Sequence, residues 1–288
     1  MNIKSISILT LIILVIYIII LLVNFSEDVV KNNFVSRLLK NKNGEYYHKP
    51  SGTIFNKSRQ TMRLSPRLNK KDIDDIKASQ TRLTEMLRVF DEICQKHNIT
   101  YFIIGGTLIG AIVYKGWIPW DGDIDIEILK SDWAKLNKLL KTDLSSNLWL
   151  QTEETDKHYK SWKHGCVMGK IRDLNSCYDN CQDGVRFHNG LMIDLNLFHI
   201  DDKKIVRMPD NEKINYLTTE DVFPLKRVQF ENIMVNVPRN SEKYLVNNYG
   251  ENYYIDLPIE KRYPHEGQPR PNKICKHHYV LYPTMYKK

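Results

Sequence analysis

Hydrophobic and polar positions divide the chain into four stretches. Ile6 to Val23 is apolar and uncharged, interrupted only by Ser7, Thr10 and Tyr17. At ~1.5 Å per residue a helix of that length spans roughly 27 Å, close to the hydrocarbon thickness of a bilayer. The run ends Leu21-Leu22-Val23-Asn24-Phe25 without an Ala-x-Ala-like cleavage site. It therefore predicts an uncleaved anchor at residues 6–23, preceded by a short tail at 1–5. Residues 24–71 are polar, rich in Asn, Lys and Ser, and lack sustained periodicity, which predicts a stem. From residue 72 to 288 the periodicity of a folded domain returns.

Within that domain Ile73, Ile76, Leu83, Met86, Leu87, Phe90, Ile93 and Cys94 recur at helical spacing, predicting an amphipathic helix over 72–98. Tyr101 to Ile104 reads as a short strand broken by Gly105-Gly106, and Thr107 to Tyr114 as a short helix. Lys115 to Trp120, with Gly116 and Pro119, is a loop. Residues 121–128 alternate strictly, Asp121, Asp123, Asp125 and Glu127 against Gly122, Ile124, Ile126 and Ile128. That is a period-two strand with one carboxylate face and one apolar face. A helix is expected over 132–141 with Ser131 as its cap. Strands are expected over 167–174 and 191–200, a hairpin around Glu231-Asn232, and a helix over 241–248 between Asn240 and Gly250. This order predicts an α/β (α+β) domain with a mixed sheet flanked by helices.

Composition changes this picture little; charge changes it more. Over 288 residues, 42% hydrophobic and 26% charged composition is that of a globular protein. The formal net charge is +8. The stem holds eleven Lys and Arg against Glu27, Asp28 and Glu45, whereas residues 72–288 carry 30 basic and 31 acidic side chains. The basicity belongs to the tether, so no nucleic-acid partner is expected of the domain. Basic residues after the span would, by the positive-inside rule, place the domain in the cytoplasm. The sequons at Asn56 and Asn98 suit a lumenal domain instead. The five cysteines are too sparse for a disulfide scaffold. Cys177 and Cys181 are spaced for a loop disulfide or half a zinc site, and Cys166 and Cys275 could join only through the fold.

The candidate chemistry lies on the acidic strand. Asp123 and Asp125 point to one side, roughly 6.5–7 Å apart at Cα, and two such carboxylates favour a cation between them. Hard oxygen ligands suit Mg²⁺ or Mn²⁺. Asp194, alone in the apolar run Leu191-Met192-Ile193-Asp194-Leu195, is the natural third ligand; a hydrogen-bonded core Asp is the alternative. Gly105, Gly106 and Thr107, at a strand-to-helix turn, allow a close backbone approach to phosphate. His265, His277 and His278 are candidates for lining an acceptor or for a plain surface role.

The segments Gly106-Thr107-Leu108-Ile109-Gly110-Ala111 and Lys115-Gly116-Trp117-Ile118-Pro119-Trp120-Asp121-Gly122-Asp123-Ile124-Asp125-Ile126 resemble the signature of the LicD/fukutin family. So do Lys170-Ile171-Arg172-Asp173, Ile193-Asp194-Leu195 and Tyr249-Gly250-Glu251. The resemblance covers about 80 to 265. Val113-Tyr114 depart from the family's usual Arg-His before Lys-Gly. It implies a nucleotidyltransferase-like fold and a phosphotransferase that moves phosphocholine or ribitol phosphate from a CDP-activated alcohol to a glycan hydroxyl, releasing CMP. It implies divalent ions on Asp123, Asp125 and Asp194, and phosphate contacts from Gly105, Gly106, Thr107, Lys170 and Arg172. It also implies a single-pass type II protein facing the Golgi or ER lumen. The rival expectations are a nucleotide-sugar glycosyltransferase with an Asp-x-Asp pair and a non-catalytic lumenal scaffold.

Overall fold

The computed structural model describes residues 62–156, 159, 167–179, 189–208 and 217–275. The expected anchor, most of the stem, Asn56, Cys166, Cys181, His277 and His278 lie outside them. Among the described residues no helix is long and apolar enough to cross a membrane.

The first element is the long helix the periodicity predicts, α1 (Lys70–His97). Asn69 and Asp72 close a reciprocal capping box at its start, and Asn98 ends it in the left-handed conformation. Its apolar stripe, Ile76, Leu83, Leu87, Phe90 and Cys94, is fully buried. Gln80, also buried, donates to the carbonyls of Ile118 and Asp121 at 3.2 and 3.0 Å. The helix thus holds the loop that leads into the acidic strand.

After β1 (Tyr101–Ile103) comes α2 (Gly105–Ile109), which begins two residues earlier than expected and continues as a π-helical turn, Gly110–Tyr114. The acidic strand β2 is Ile124–Leu129. Asp121, Gly122 and Asp123 lie in the loop before it, because pairing with β1 starts only at Ile126 and pairing with the next parallel strand at Ile124. Helix α3 (Lys130–Asp143) starts at Leu129 with no side-chain cap. Ser131 therefore lies inside its first turn rather than at its cap, and Asp132 accepts the Thr100 amide at 2.7 Å instead.

The remaining elements are β3 (Leu148–Gln151), β4 (Val167–Asp173), β5 (Cys177–Asp179), β6 (Met192–Asp201), β7 (Lys204–Arg207), α4 (Thr219–Val222), β8 (Lys226–Phe230), β9 (Ile233–Val237), α5 (Ser241–Tyr249) and β10 (Gln268–Arg270). The main sheet runs β1-β2-β6-β4-β3, with β7 also on β6. β2 and β6 pair in parallel and the other neighbours are antiparallel, so the sheet is mixed, as expected. Ile124, Ile126, Ile128, Ile193 and Leu195 are fully buried at its centre.

Two smaller ribbons complete the fold. β8 and β9 form the expected hairpin, and Phe230 packs edge-on against buried Trp117 at 5.3 Å. β10 returns from the C-terminal side to pair with β5. Cys177 and Cys275 form a disulfide beside that ribbon. This corrects the expected pairing or zinc role of Cys177 with Cys181: the partner lies 98 residues away and meets it only because β10 folds back onto β5. Cys94 is a free, buried thiol.

Candidate active site

Register, not sequence proximity, assembles the acidic centre. Asp125 stands opposite Asp194 in the parallel pairing of β2 and β6, and Lys170 stands opposite Asp194 in the antiparallel pairing of β4 and β6. Side chains opposite one another share a face of the sheet. Asp123, one residue before β2, joins them. Asp123, Asp125 and Asp194 each offer a carboxylate oxygen, and these atoms lie within 4.8 Å of one another. All three predicted acids are thus brought together.

Lys170 bonds both oxygens of Asp194 at 2.7 Å. The other expected clamp, Arg172, is only 1% exposed. It donates to Gln151 Oε1 and to the Gly190 carbonyl, each at 2.8 Å. Its guanidinium braces β4 against β3 and the turn before β6. The side chain expected as a phosphate clamp is thus enclosed rather than at an exposed strand edge.

The glycines serve the acids directly. Gly105 has φ +60, and a Cβ there would lie 2.6 Å from Asp125 Oδ2. A Cβ on Gly106 would lie 2.8 Å from Asp121 Oδ2. The backbone of α2 hugs two carboxylates, and only residues without side chains permit that approach. Thr107 is buried, and its hydroxyl accepts the Asp125 amide at 3.0 Å, which ties α2 to the start of β2.

The alternation along 121–127 predicts a carboxylate face without saying what covers it. Most of that face is buried: Asp121 and Asp123 are each 8% exposed and Glu127 4%, while Asp125 is half-buried. Burial pushes the Asp123 carboxyl well above its ordinary range, with repulsion from Glu266, Asp125, Asp121 and Asp194 adding to it. Burial and then Asp194 push Asp125 up to about 7, while Arg207 and Lys170 oppose the shift. Glu127, against the Arg207 guanidinium, is also pushed by burial to about 7. Carboxylates held this close without enough counter-charge have the chemistry of a divalent-cation site, and the oxygen-only donor set of the triad fits Mg²⁺ or Mn²⁺.

Sequence reasoning missed part of the surroundings. Tyr178 of β5 donates its hydroxyl to the Gly122 carbonyl at 2.6 Å, fixing the loop between Asp121 and Asp123. Glu266 has a side chain only 4% exposed, paired with His265 at 2.5 Å. Neither belongs to a periodic element that would have marked it, since β5 has three residues and Glu266 precedes β10 in irregular backbone.

A mixed α/β sheet with three carboxylates converging from a strand, its preceding loop and a neighbouring strand defines an acid-centred domain suited to cations and phosphates. Residues 98–240 match the family model described as LicD/FKTN/FKRP, nucleotidyltransferase domain, and this part of the chain belongs to that family. The chain is 34% identical over 84 residues to the lipopolysaccharide cholinephosphotransferase LicD of Haemophilus influenzae, covering 29% of this chain and 28% of that one. It is 26% identical over 157 residues to an uncharacterized protein of Rickettsia typhi (54% of this chain, 41% of that one). A Rickettsia prowazekii counterpart matches at 25% over 173 residues (59% and 54%). The chain thus spans between 28% and 54% of the length of these relatives. Among solved structures, ANT(2")-Ia in complex with adenylyl-2"-tobramycin overlaps 55% of this chain and 69% of that one at 10% identity and a TM-score of 0.34, too loose an overlap to bear on function.

Proposed function

We propose that the protein is a membrane-anchored, cation-dependent phosphotransferase. Its donor is a CDP-activated alcohol of the phosphocholine or ribitol-phosphate kind, its acceptor a glycan hydroxyl, and its by-product CMP. The observation that carries this reading is the convergence of Asp123, Asp125 and Asp194 within 4.8 Å, in a chain similar to a cholinephosphotransferase.

In this reaction the acceptor oxygen forms a bond to the phosphorus that bears the alcohol. The bond from that phosphorus to the bridging oxygen breaks, its electron pair leaves with CMP, and the hydroxyl proton passes to a carboxylate of the cluster. Asp123, Asp125 and Asp194 would hold a divalent ion, which would supply positive charge to the diphosphate and to the CMP leaving group. Lys170, already at Asp194, is the cation within reach to turn toward the phosphate. The backbone at Gly105 and Gly106 gives the diphosphate a surface without side chains.

The test is a donor panel of CDP-choline, CDP-ribitol and UDP-sugars, offered with Mg²⁺ or Mn²⁺ and scored by the nucleotide released. CMP from a CDP-alcohol, lost in Asp123→Ala, is the expected result. UDP released from a UDP-sugar, with CDP-alcohols left intact, would instead support a glycosyltransferase. No turnover, with donor affinity unchanged in Asp123→Ala and Asp125→Ala, would support a scaffold.

For location, we propose a type II protein anchored by residues 6–23 with its domain in the Golgi or ER lumen. The Cys177–Cys275 disulfide supports an oxidising compartment, and Asn98 is exposed at the end of α1, where a glycan could attach. Glycosidase-sensitive mass at Asn98 is expected; a protease-accessible domain on intact microsomes would place it in the cytosol.

A further inference from the structure

A second group of ligating side chains stands beside the triad and takes no part in the transfer described above. Asp121, His265 and Glu266 each offer one ligand atom, and these also lie within 4.8 Å of one another. They come from two distant parts of the chain: the loop before β2 and the segment that leads into β10.

Glu266 singles this group out. Its side chain is 4% exposed, and its Oε2 has no hydrogen-bond partner. Among the described residues its charged partner is the imidazole of His265, with Nδ1 2.5 Å from Oε1. Among the described residues no Lys or Arg forms an ion pair with Asp121 or Glu266. A buried carboxylate oxygen without a donor is costly unless a cation meets it. Space has been made for this one: a Cβ on Gly122 would lie 2.8 Å from Glu266 Oε2.

The segment that carries Glu266 is firmly tied. β10 pairs with β5, and Arg270 bridges Asp72, Asp75 and Asp179 at 2.9, 2.7 and 2.5 Å. The disulfide Cys177–Cys275 closes the far end. The His265 side chain is 79% exposed, which leaves the group an open side. A rigid support, two carboxylates, an imidazole and a solvent-facing entrance are what a cation site requires.

We propose that Asp121, His265 and Glu266 form a second divalent-cation site, separate from the all-oxygen triad of Asp123, Asp125 and Asp194. Its imidazole nitrogen selects Mn²⁺ or Zn²⁺ over Mg²⁺ and Ca²⁺. With three protein ligands, the bound ion keeps at least one position for water or a phosphate oxygen. The site does not depend on the identity of the donor, so it can hold even if the transfer reaction is of another kind.

The full-length chain, in detergent and titrated with Mn²⁺ alone, tests this. Electron spin-echo modulation distinguishes the sites, because only a nitrogen-ligated Mn²⁺ shows ¹⁴N coupling. Two equivalents of bound Mn²⁺ and a ¹⁴N signal are expected of the natural chain. His265→Ala, at an exposed side chain whose loss should spare the fold, is expected to lose one equivalent together with the ¹⁴N signal. Asp123→Asn is expected to lose the other equivalent and keep that signal. Bound Mn²⁺ without ¹⁴N coupling, coupling that survives His265→Ala, or coupling that vanishes in Asp123→Asn would each overturn the proposal. If Asp123→Asn binds both equivalents, the cation role of the triad fails while the second site stands.

Discussion

Asp194 stands directly opposite Asp125 on the neighbouring parallel strand, and it is the acid of the triad that holds an ammonium, that of Lys170, 2.7 Å from both oxygens. The lysine occupies one corner of a site otherwise short of positive charge, so it competes with an added cation for Asp194.

That competition sets the sign for Lys170→Met. Removing the ammonium makes the triad more negative, so Mn²⁺ should bind more tightly, on the order of tenfold, while turnover drops ~10–100-fold through loss of a group that orients a ligand. Calorimetry with Mn²⁺ and donor turnover on the same variant check both halves. Weaker Mn²⁺ binding would show that Lys170 supports the cation rather than standing in for it.

Two glycines separate backbone strain from damage to the site. Gly105 and Gly250 both have positive φ, +60 and +80, but a Cβ at Gly105 meets Asp125 at 2.6 Å whereas one at Gly250 meets nothing within 4 Å. Gly250→Ala should cost roughly 1 kcal/mol of stability and leave cation binding intact. Gly105→Ala should cost more and abolish Mn²⁺ binding at the triad. Equal binding losses in the two variants would contradict the close approach of Gly105 to Asp125.

Acidity couples to stability with a definite sign. Burial raises Asp125 to about 7 in the folded protein, far above its ordinary value, so between those values the folded state holds more protons than the unfolded one. Stability is therefore greatest at acidic pH and declines as pH rises through about 7. Cation-free protein should melt lower at pH 8 than at pH 5, by on the order of 5 °C, and Mn²⁺ should remove that difference. Scanning calorimetry at the two pH values with and without Mn²⁺ decides; a higher melting point at pH 8 without the ion would contradict it.

The disulfide carries its own prediction. It closes a loop of 98 residues, and removing such a crosslink by Cys275→Ser should cost roughly 2–5 kcal/mol. Denaturant titration measures the loss. In the native protein Cys94 should stay unreactive toward alkylating reagents, because it is fully buried and burial raises its thiol pKa. Rapid labelling of Cys94 before unfolding would contradict that burial.

What the sequence revealed followed local regularity. The apolar spacing in α1 and the alternation of Asp123, Asp125 and Glu127 with isoleucines are written within short contiguous stretches, and both have physical periods. The lone Asp194 in an apolar strand was equally visible, since an unexplained buried charge demands a partner. What escaped depends on contacts between distant segments. Cys177 meets Cys275 and Glu266 meets Asp121 only after β10 folds onto β5, and no spacing rule reaches across about 90 to 150 residues. Arg172 escaped for a related reason: Lys170 and Arg172 share a strand face, but only the packing of Gln151 and Gly190 decides that one cation meets an acid and the other is enclosed.

The late position of β10 bears on how the molecule is made. During translation the main sheet, with Asp123, Asp125 and Asp194, can emerge and pair well before the segment bearing His265, Glu266 and Cys275 leaves the ribosome. For that interval the nascent chain exposes an open acidic cleft and an unpaired Cys177. Maturation of the centre is thus deferred until residues 265–275 have been made, and a ribosome stalled before them would release a sheet whose ionic pocket lacks one wall.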